Sequence, residues 1–270
     1  MRIAVVAPSC SLKPEACDAV KAIAARRGDC ELVVHPQCFL QDGHFAGPDE
    51  ARLEALREVM ADPGIDAVWF ARGGYGSNRI AEAALIDLPS AANSKVYMGY
   101  SDAGFLLAGL YKAGLEVAWG PMPQDVLRSG GEAAVTRAFD WLVRRDPGAL
   151  EPGLQGPAMA FNLTVLSNLL GTSLEPDFTG HDLLIEDLSE QLYRIDRSMF
   201  HVTASAGIQK VRRIRLGRVL DILPNDPSFG ADEAQIVEQW CDRSGIVFGG
   251  RADIGHDAFN KVVPFGQKNR

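Results

Sequence analysis

Lys95-Val-Tyr-Met-Gly-Tyr-Ser-Asp-Ala-Gly-Phe-Leu-Leu-Ala-Gly-Leu110 runs a strand, a turn and the start of a helix together in one stretch. Lys95–Gly99 reads as a strand and Asp102–Ala113 as an apolar helix, with Ser101 at the turn between them. A strand that passes directly into a helix is the repeating unit of a parallel sheet. The turn leaves the carboxyl end of the strand, where open α/β sheets bind their ligands. Small residues at 99 and 103 allow a tight turn that pushes the Ser101 hydroxyl into solvent. Serine and aspartate also cap helices constantly, and this pattern alone favours the cap.

The same alternation extends outward from that stretch. Upstream, Arg2–Ala7, Glu31–His35 and Ala67–Ala71 read as strands, and Pro14–Arg27 (closed by Gly28) and Pro48–Ala61 as helices. Another helix begins over Arg79–Ala84, and Glu116–Trp119 is a further short strand. The expected fold class is α/β: an N-terminal, doubly wound, mostly parallel sheet domain over 1–146, followed by a smaller C-terminal α/β domain over 158–270. Between them Pro147, Gly148, Pro152, Gly153, Gly156 and Pro157 mark 147–157 as a linker after the helix Ala133–Arg145. The second domain is read as strands Leu183–Glu186, Arg215–Asp221 and Ile246–Gly249 with helices Leu163–Leu170, Arg194–Ser205 and Asp232–Ser244.

With 270 residues, 47% hydrophobic and 23% charged, the composition is that of a globular protein able to bury sizeable cores. A formal charge of −8 and a pI near 5.2 argue against nucleic-acid or membrane-surface partners. The opening apolar run is cut by Pro8 and lacks a signal-type h-region, so a cytoplasmic location is expected. The five cysteines have no Cys-x-x-Cys spacing and read as small packed thiols of a reducing compartment. His35 near Cys38 reads as a packed or surface histidine, so no metal and no cofactor are expected.

Three further strings carry chemistry. Arg72-Gly73-Gly74-Tyr75-Gly76 follows the strand Ala67–Ala71, and its glycines permit close backbone approach and positive φ. It suits an oxyanion donor or an anion cradle, although an ordinary tight turn has the same composition, and both G-x-G-x-x-G and a Walker lysine are missing. Leu183-Leu-Ile-Glu-Asp187 ends an apolar strand in two acids, which are often merely solvated. Ala252-Asp-Ile-Gly-His256 offers one loop imidazole behind Gly255, which frees the backbone ahead of it. A serine, a carboxylate and a histidine at these positions can compose a nucleophile–base–orienter set, which is defined by geometry and not by chain order.

The ordered series of motifs resembles the LD-carboxypeptidase family, cytoplasmic serine peptidases of cell-wall recycling. The matching pieces are Ala7-Pro-Ser9, Phe45-Ala-Gly47, Arg72-Gly-Gly-Tyr-Gly76, Gly99-Tyr-Ser-Asp102 and Gly120-Pro-Met122. They continue with Asn162-Leu163, Leu170-Gly-Thr172, Ile185-Glu-Asp187 with Glu190, Tyr193-Arg-Ile-Asp-Arg197 and Gly255-His256. The resemblance implies Ser101 as nucleophile, His256 as base and Glu186 as its orienting carboxylate. It implies release of terminal D-alanine from a muropeptide tetrapeptide by a homodimer without metal or cofactor. The backbone amides of Asp102 and Gly74 are the expected oxyanion donors, at the turn and in the glycine loop. Arg72 and Arg194 are the expected cations for the substrate carboxylate, and Asn162 a partner for a peptide amide. Ala160-Phe161 stands where the family usually has two glycines, and the bulky side chain is expected to alter the substrate groove. The tail after His256 is also short.

Two rival readings remain at this point. One is a related serine hydrolase that inactivates a peptidyl-nucleotide antibiotic, of the microcin C self-immunity type. The other is a non-catalytic anion- or nucleotide-binding module built on the Arg72–Gly76 loop.

Overall fold

Ile3, Ala4, Val5 and Val6 are all buried, and a strand covered on both faces belongs inside a parallel sheet. In the computed structural model, which describes residues 1–266, these residues form β1 (Arg2–Val6). It lies between β2 (Glu31–Val34) and β3 (Ala67–Phe70), and β4 (Val96–Gly99) and β5 (Glu116–Trp119) extend the parallel run. The connecting helices are α1 (Pro14–Arg27), α2 (Asp49–Ala61), α3 (Ser77–Ala84) and α4 (Gly104–Lys112), and α5 (Gly131–Arg144) follows β5. Successive strand residues face opposite ways. Thus Val5, Trp69 and Met98 pack with α1 and α5, whereas Val6, Phe70 and Tyr97 pack with α2, α3 and α4.

The second layer is a four-stranded parallel sheet in sequence order: β6 (Ala158–Asn162), β7 (Asp182–Leu188), β8 (Arg213–Leu220) and β9 (Phe248–Arg251). Its helices are α6 (Leu163–Leu169), α7 (Leu192–Ala204) and α8 (Glu233–Ser244). The last strand, β10 (Val263–Pro264), returns to the first sheet and pairs antiparallel with β5, giving the order β10-β5-β4-β3-β1-β2. One apolar cluster runs continuously from α4 and Trp119 through Phe161 to Leu184 and Val202, so the two sheets share a core. The fold is mostly parallel α/β. No helix among the described residues is long and apolar enough to cross a membrane.

Several local readings change. Neither β6 nor β10 was expected. The helix after Ser101 starts as a 3₁₀ turn over Ser101–Ala103 and becomes α-helical only at Gly104. Phe161 does not shape a groove. Its ring is buried in β6, 5.4 Å from Phe265 and 6.1 Å from Phe178, where it fills space between the sheets. Within 147–157, Pro147, Gly148, Pro152 and Gln155 are exposed, whereas Glu151 is buried and held by Arg215 through bonds of 2.7 and 2.8 Å. The end of the expected second domain, 267–270, lies outside the described residues.

Candidate active site

β4 ends at Gly99, where a Cβ would press on Phe70 at 2.9 Å and on Ala103 at 3.1 Å. The chain then turns at Ser101 with φ 59°, a left-handed value that costs an L-residue about 1–2 kcal/mol. The neighbouring Asp102 holds this conformation. Its buried carboxylate accepts from Ser9 Oγ at 2.5 Å and from the Ser77 amide at 2.8 Å, and its carbonyl accepts from Ser77 Oγ at 2.5 Å. The turn after β4 is thereby tied to the loops after β1 and β3. Gly73 lies directly against it, since a Cβ there would stand 3.0 Å from both Cβ and Oγ of Ser101. A Cβ on Gly74 would instead collide with Cys10 Sγ, and Gly74 has φ 109°.

His256 arrives from the loop after β9. Its Nε2 is 3.0 Å from Ser101 Oγ, and its Nδ1 is 2.6 Å from Glu186 Oε2. A carboxylate only accepts, so Nδ1 carries the proton donated to Glu186, and Nε2 is left to accept from the serine hydroxyl. The loop is braced on several sides. Arg218 pairs with Asp253 at 2.6 Å and with Asp257, Trp119 donates to Asn260 at 3.0 Å, and Arg128 donates to the His256 carbonyl. Gly255 serves this bracing and needs no positive φ, because a Cβ would press on the Arg218 side chain at 3.0 Å. The Tyr100 ring packs against the imidazole at 4.9 Å.

Glu186 is fully buried in β7, at a register shift against β8 between Ile185 and Asp187. In a regular strand neighbouring side chains face opposite ways; a bulge re-aims one of them. Here Asn162 reaches both carboxylates, 3.3 Å to Glu186 and 2.8 Å to Asp187. Burial opposes charge on His256, but the Glu186 carboxylate outweighs it by charge and hydrogen bond and raises the imidazole above its ordinary value. Burial and the Glu186 charge push Asp187 up to about 6, against hydrogen bonds from Leu188, Asn162 and Thr164. Burial likewise raises the Asp125 carboxyl, despite the nearby Arg128 charge.

A cavity of about 990 Å³ opens over Ser101 and His256, and Arg72, Gly74, Asp102 and Asn162 also line it. Arg194 does not. It stands in an adjoining space of about 270 Å³, 3.6 Å from Glu190. Asn162 caps α6 by accepting from the Val165 amide at 3.1 Å, so its side chain is engaged with α6 and the two acids. Arg128, also on the wall, carried no sequence signal: a single arginine in a polar loop has neither period nor motif. Among the described residues no group of His, Cys, Asp and Glu is arranged to hold a metal ion. The hydroxyl–imidazole–carboxylate chain can move a proton off Ser101 and return it to a leaving group on the same wall.

The chain is similar to known proteins along nearly its whole length. Residues 3–120 match the LD-carboxypeptidase N-terminal domain and residues 155–270 the LD-carboxypeptidase C-terminal domain. A Synechocystis protein named as a carboxypeptidase is 31% identical, covering 99% of this chain and 90% of its own. The murein tetrapeptide carboxypeptidase of Pseudomonas aeruginosa is 26% identical, covering 98% of this chain and 91% of its own. Among solved structures, the muramoyltetrapeptide carboxypeptidase of Oxalobacter formigenes superposes with a TM-score of 0.84 at 23% identity, over 98% of this chain and 93% of that one. MccF in complex with glutamyl sulfamoyl guanosine superposes with a TM-score of 0.79 at 19% identity, over 98% and 91%. The structural likenesses establish a shared fold, and the two profiles, met in order on either side of residues 121–154, establish descent: the chain belongs to the LD-carboxypeptidase family.

Proposed function

We propose that this protein is a serine-type carboxypeptidase that releases terminal D-alanine from muropeptide tetrapeptides by cutting the L,D bond. The observation that carries the reading is the continuous path from Ser101 Oγ to His256 Nε2 at 3.0 Å and from His256 Nδ1 to Glu186 at 2.6 Å. Ser101 attacks the carbonyl carbon while its proton passes to His256. Glu186 holds the imidazole in the required tautomer and stabilises its charged form. The backbone amides of Asp102 and Gly74 receive the oxyanion, at a turn that opens α4 and at a loop pressed against Ser101. His256 then protonates the departing amine, and water attacks the acyl-enzyme with His256 again as base. The reading includes action as a cytoplasmic homodimer. The names of the Pseudomonas and Oxalobacter relatives support the substrate class.

The test is release of free D-alanine from a tetrapeptide stem, with the tripeptide as the other product. Ser101→Ala is expected to abolish release while keeping a near-normal melting temperature, because a partly exposed turn residue contributes little packing. Full activity in that variant would end the serine-hydrolase reading. Hydrolysis of an aminoacyl sulfamoyl nucleoside without D-alanine release would favour an activity on peptidyl nucleotides instead.

A further inference from the structure

A carboxypeptidase has to recognise the free carboxylate beyond the bond it cuts, and two arginines line the cavity above Ser101: Arg72 and Arg128. They reach the cavity from different loops, one beside Ser101 and one beside His256. Arg72 precedes Gly73, the residue pressed against Ser101 on the glycine-loop side, and its Nη1 is directed to the Ser11 carbonyl at 3.3 Å. Arg128 lies beside His256, where its Nη1 donates to the backbone carbonyl of His256 itself. Its Nε is 3.0 Å from Asp125, which in turn accepts from Tyr100 at 2.7 Å and from the Met122 amide at 2.8 Å. The guanidinium is thus held from two sides, by Asp125 and by the His256 carbonyl, while the side chain is still 39% exposed to the cavity.

The leaving amine must stand near His256 Nε2 to receive its proton, and the carboxylate of an α-amino acid follows that amine within one residue length, about 3.8 Å. The receptor for that carboxylate consequently belongs on the His256 side of Ser101. We propose that Arg128 is that receptor: it binds the carboxylate of the amino acid to be released and so restricts cleavage to the last bond of the chain. The inference rests on the peptidase reading above and names the residue that makes the enzyme an exopeptidase. Arg137 supplies the structural contrast. It also braces the His256 loop, donating to the carbonyls of Ala258 at 3.1 Å and Asn260 at 2.8 Å, but it does not line the cavity.

The test compares kcat/KM for a tetrapeptide ending in D-alanine with that for the same peptide ending in D-alaninamide. The wild type is expected to prefer the acid strongly. Arg128→Met should lower the acid rate about 10- to 100-fold more than the amide rate, the usual loss of a charge-assisted hydrogen bond, while the lost brace on the His256 carbonyl lowers both. Arg137→Met should lower both rates together and preserve the ratio. Arg128→Lys keeps a cation beside Asp125 and gives the same reading if Arg128→Met does not fold: its acid-to-amide ratio should fall through a raised KM for the acid. An unchanged ratio in either folded Arg128 variant, or a collapse of the ratio in Arg72→Met instead, overturns the assignment. A wild type that cleaves neither peptide overturns the peptidase reading and this inference with it, a different result from a ratio that does not move.

Discussion

His256 is the residue on which opposing forces meet. Burial alone would keep its imidazole neutral to low pH, while Glu186 at 2.6 Å favours the proton and wins. A general base must be neutral, so on the proposed mechanism kcat/KM should fall as pH drops through this raised value, with its acid limb above the ordinary histidine range. Glu186→Gln removes the charge and leaves the burial. Its acid limb should move to lower pH and its plateau should fall about 10³- to 10⁴-fold, as measured by pH profiles of both proteins. The same shift affects stability in the opposite direction. The protonated pair stabilises the fold fully below the unfolded histidine value, and that contribution is lost as pH rises through the folded value. At this scale Ser101, Glu186 and His256 were legible through the ordered series of motifs that carries the family resemblance, since each string alone has a plainer reading. Arg128 and the inward engagement of Asn162 were not, because both depend on which loops meet in space.

Among the elements, β7 and β8 decide where the carboxylate points. Gly217 in β8 makes their close approach possible: a Cβ there would stand 2.7 Å from the Ile254 carbonyl and 3.0 Å from Glu186 Cβ. Backbone cannot yield as a side chain can. Gly217→Ala is expected to cost about 1–3 kcal/mol in denaturant melts and to depress kcat/KM as well, by displacing Glu186 and the loop behind His256. Gly156→Ala is the control, since its new methyl meets only the guanidinium end of the half-exposed Arg212, no nearer than 3.4 Å. The strands with long β-branched or aromatic runs, such as β1 and β3, were readable from composition. β6 was not: Ala-Met-Ala-Phe-Asn has weak strand preference and follows Gly156-Pro157, so it carries no strand signal of its own. β10 contains Pro264, which argues against a strand except at an edge, and an edge is where it lies. The bulge at Glu186 is a matter of register, which a single strand's sequence does not contain.

For the whole molecule, we propose 147–157 as the seam between two units, and its buried Glu151 is tied to the second unit through Arg215 of β8. Arg215→Met leaves a buried carboxylate without its counter-charge and should cost about 3–5 kcal/mol, read as a lowered urea midpoint. Adding Glu151→Leu should recover most of that loss. The alternation of strands and helices made the α/β class readable from sequence, whereas the return of the chain to its first sheet was not, because it joins residues as far apart as Trp119 and Val263. That return matters during synthesis. A chain made from its N-terminus can complete the five parallel strands and the Ser101 turn early, but the β5 border then presents unpaired amides and carbonyls to any passing strand. Val263 and Pro264 pair with part of that border only when the final stretch docks, a few residues after His256. On the proposed mechanism, shielding of the nascent sheet and arrival of His256 are thus one late event, and an unfinished chain carries Ser101 without its base.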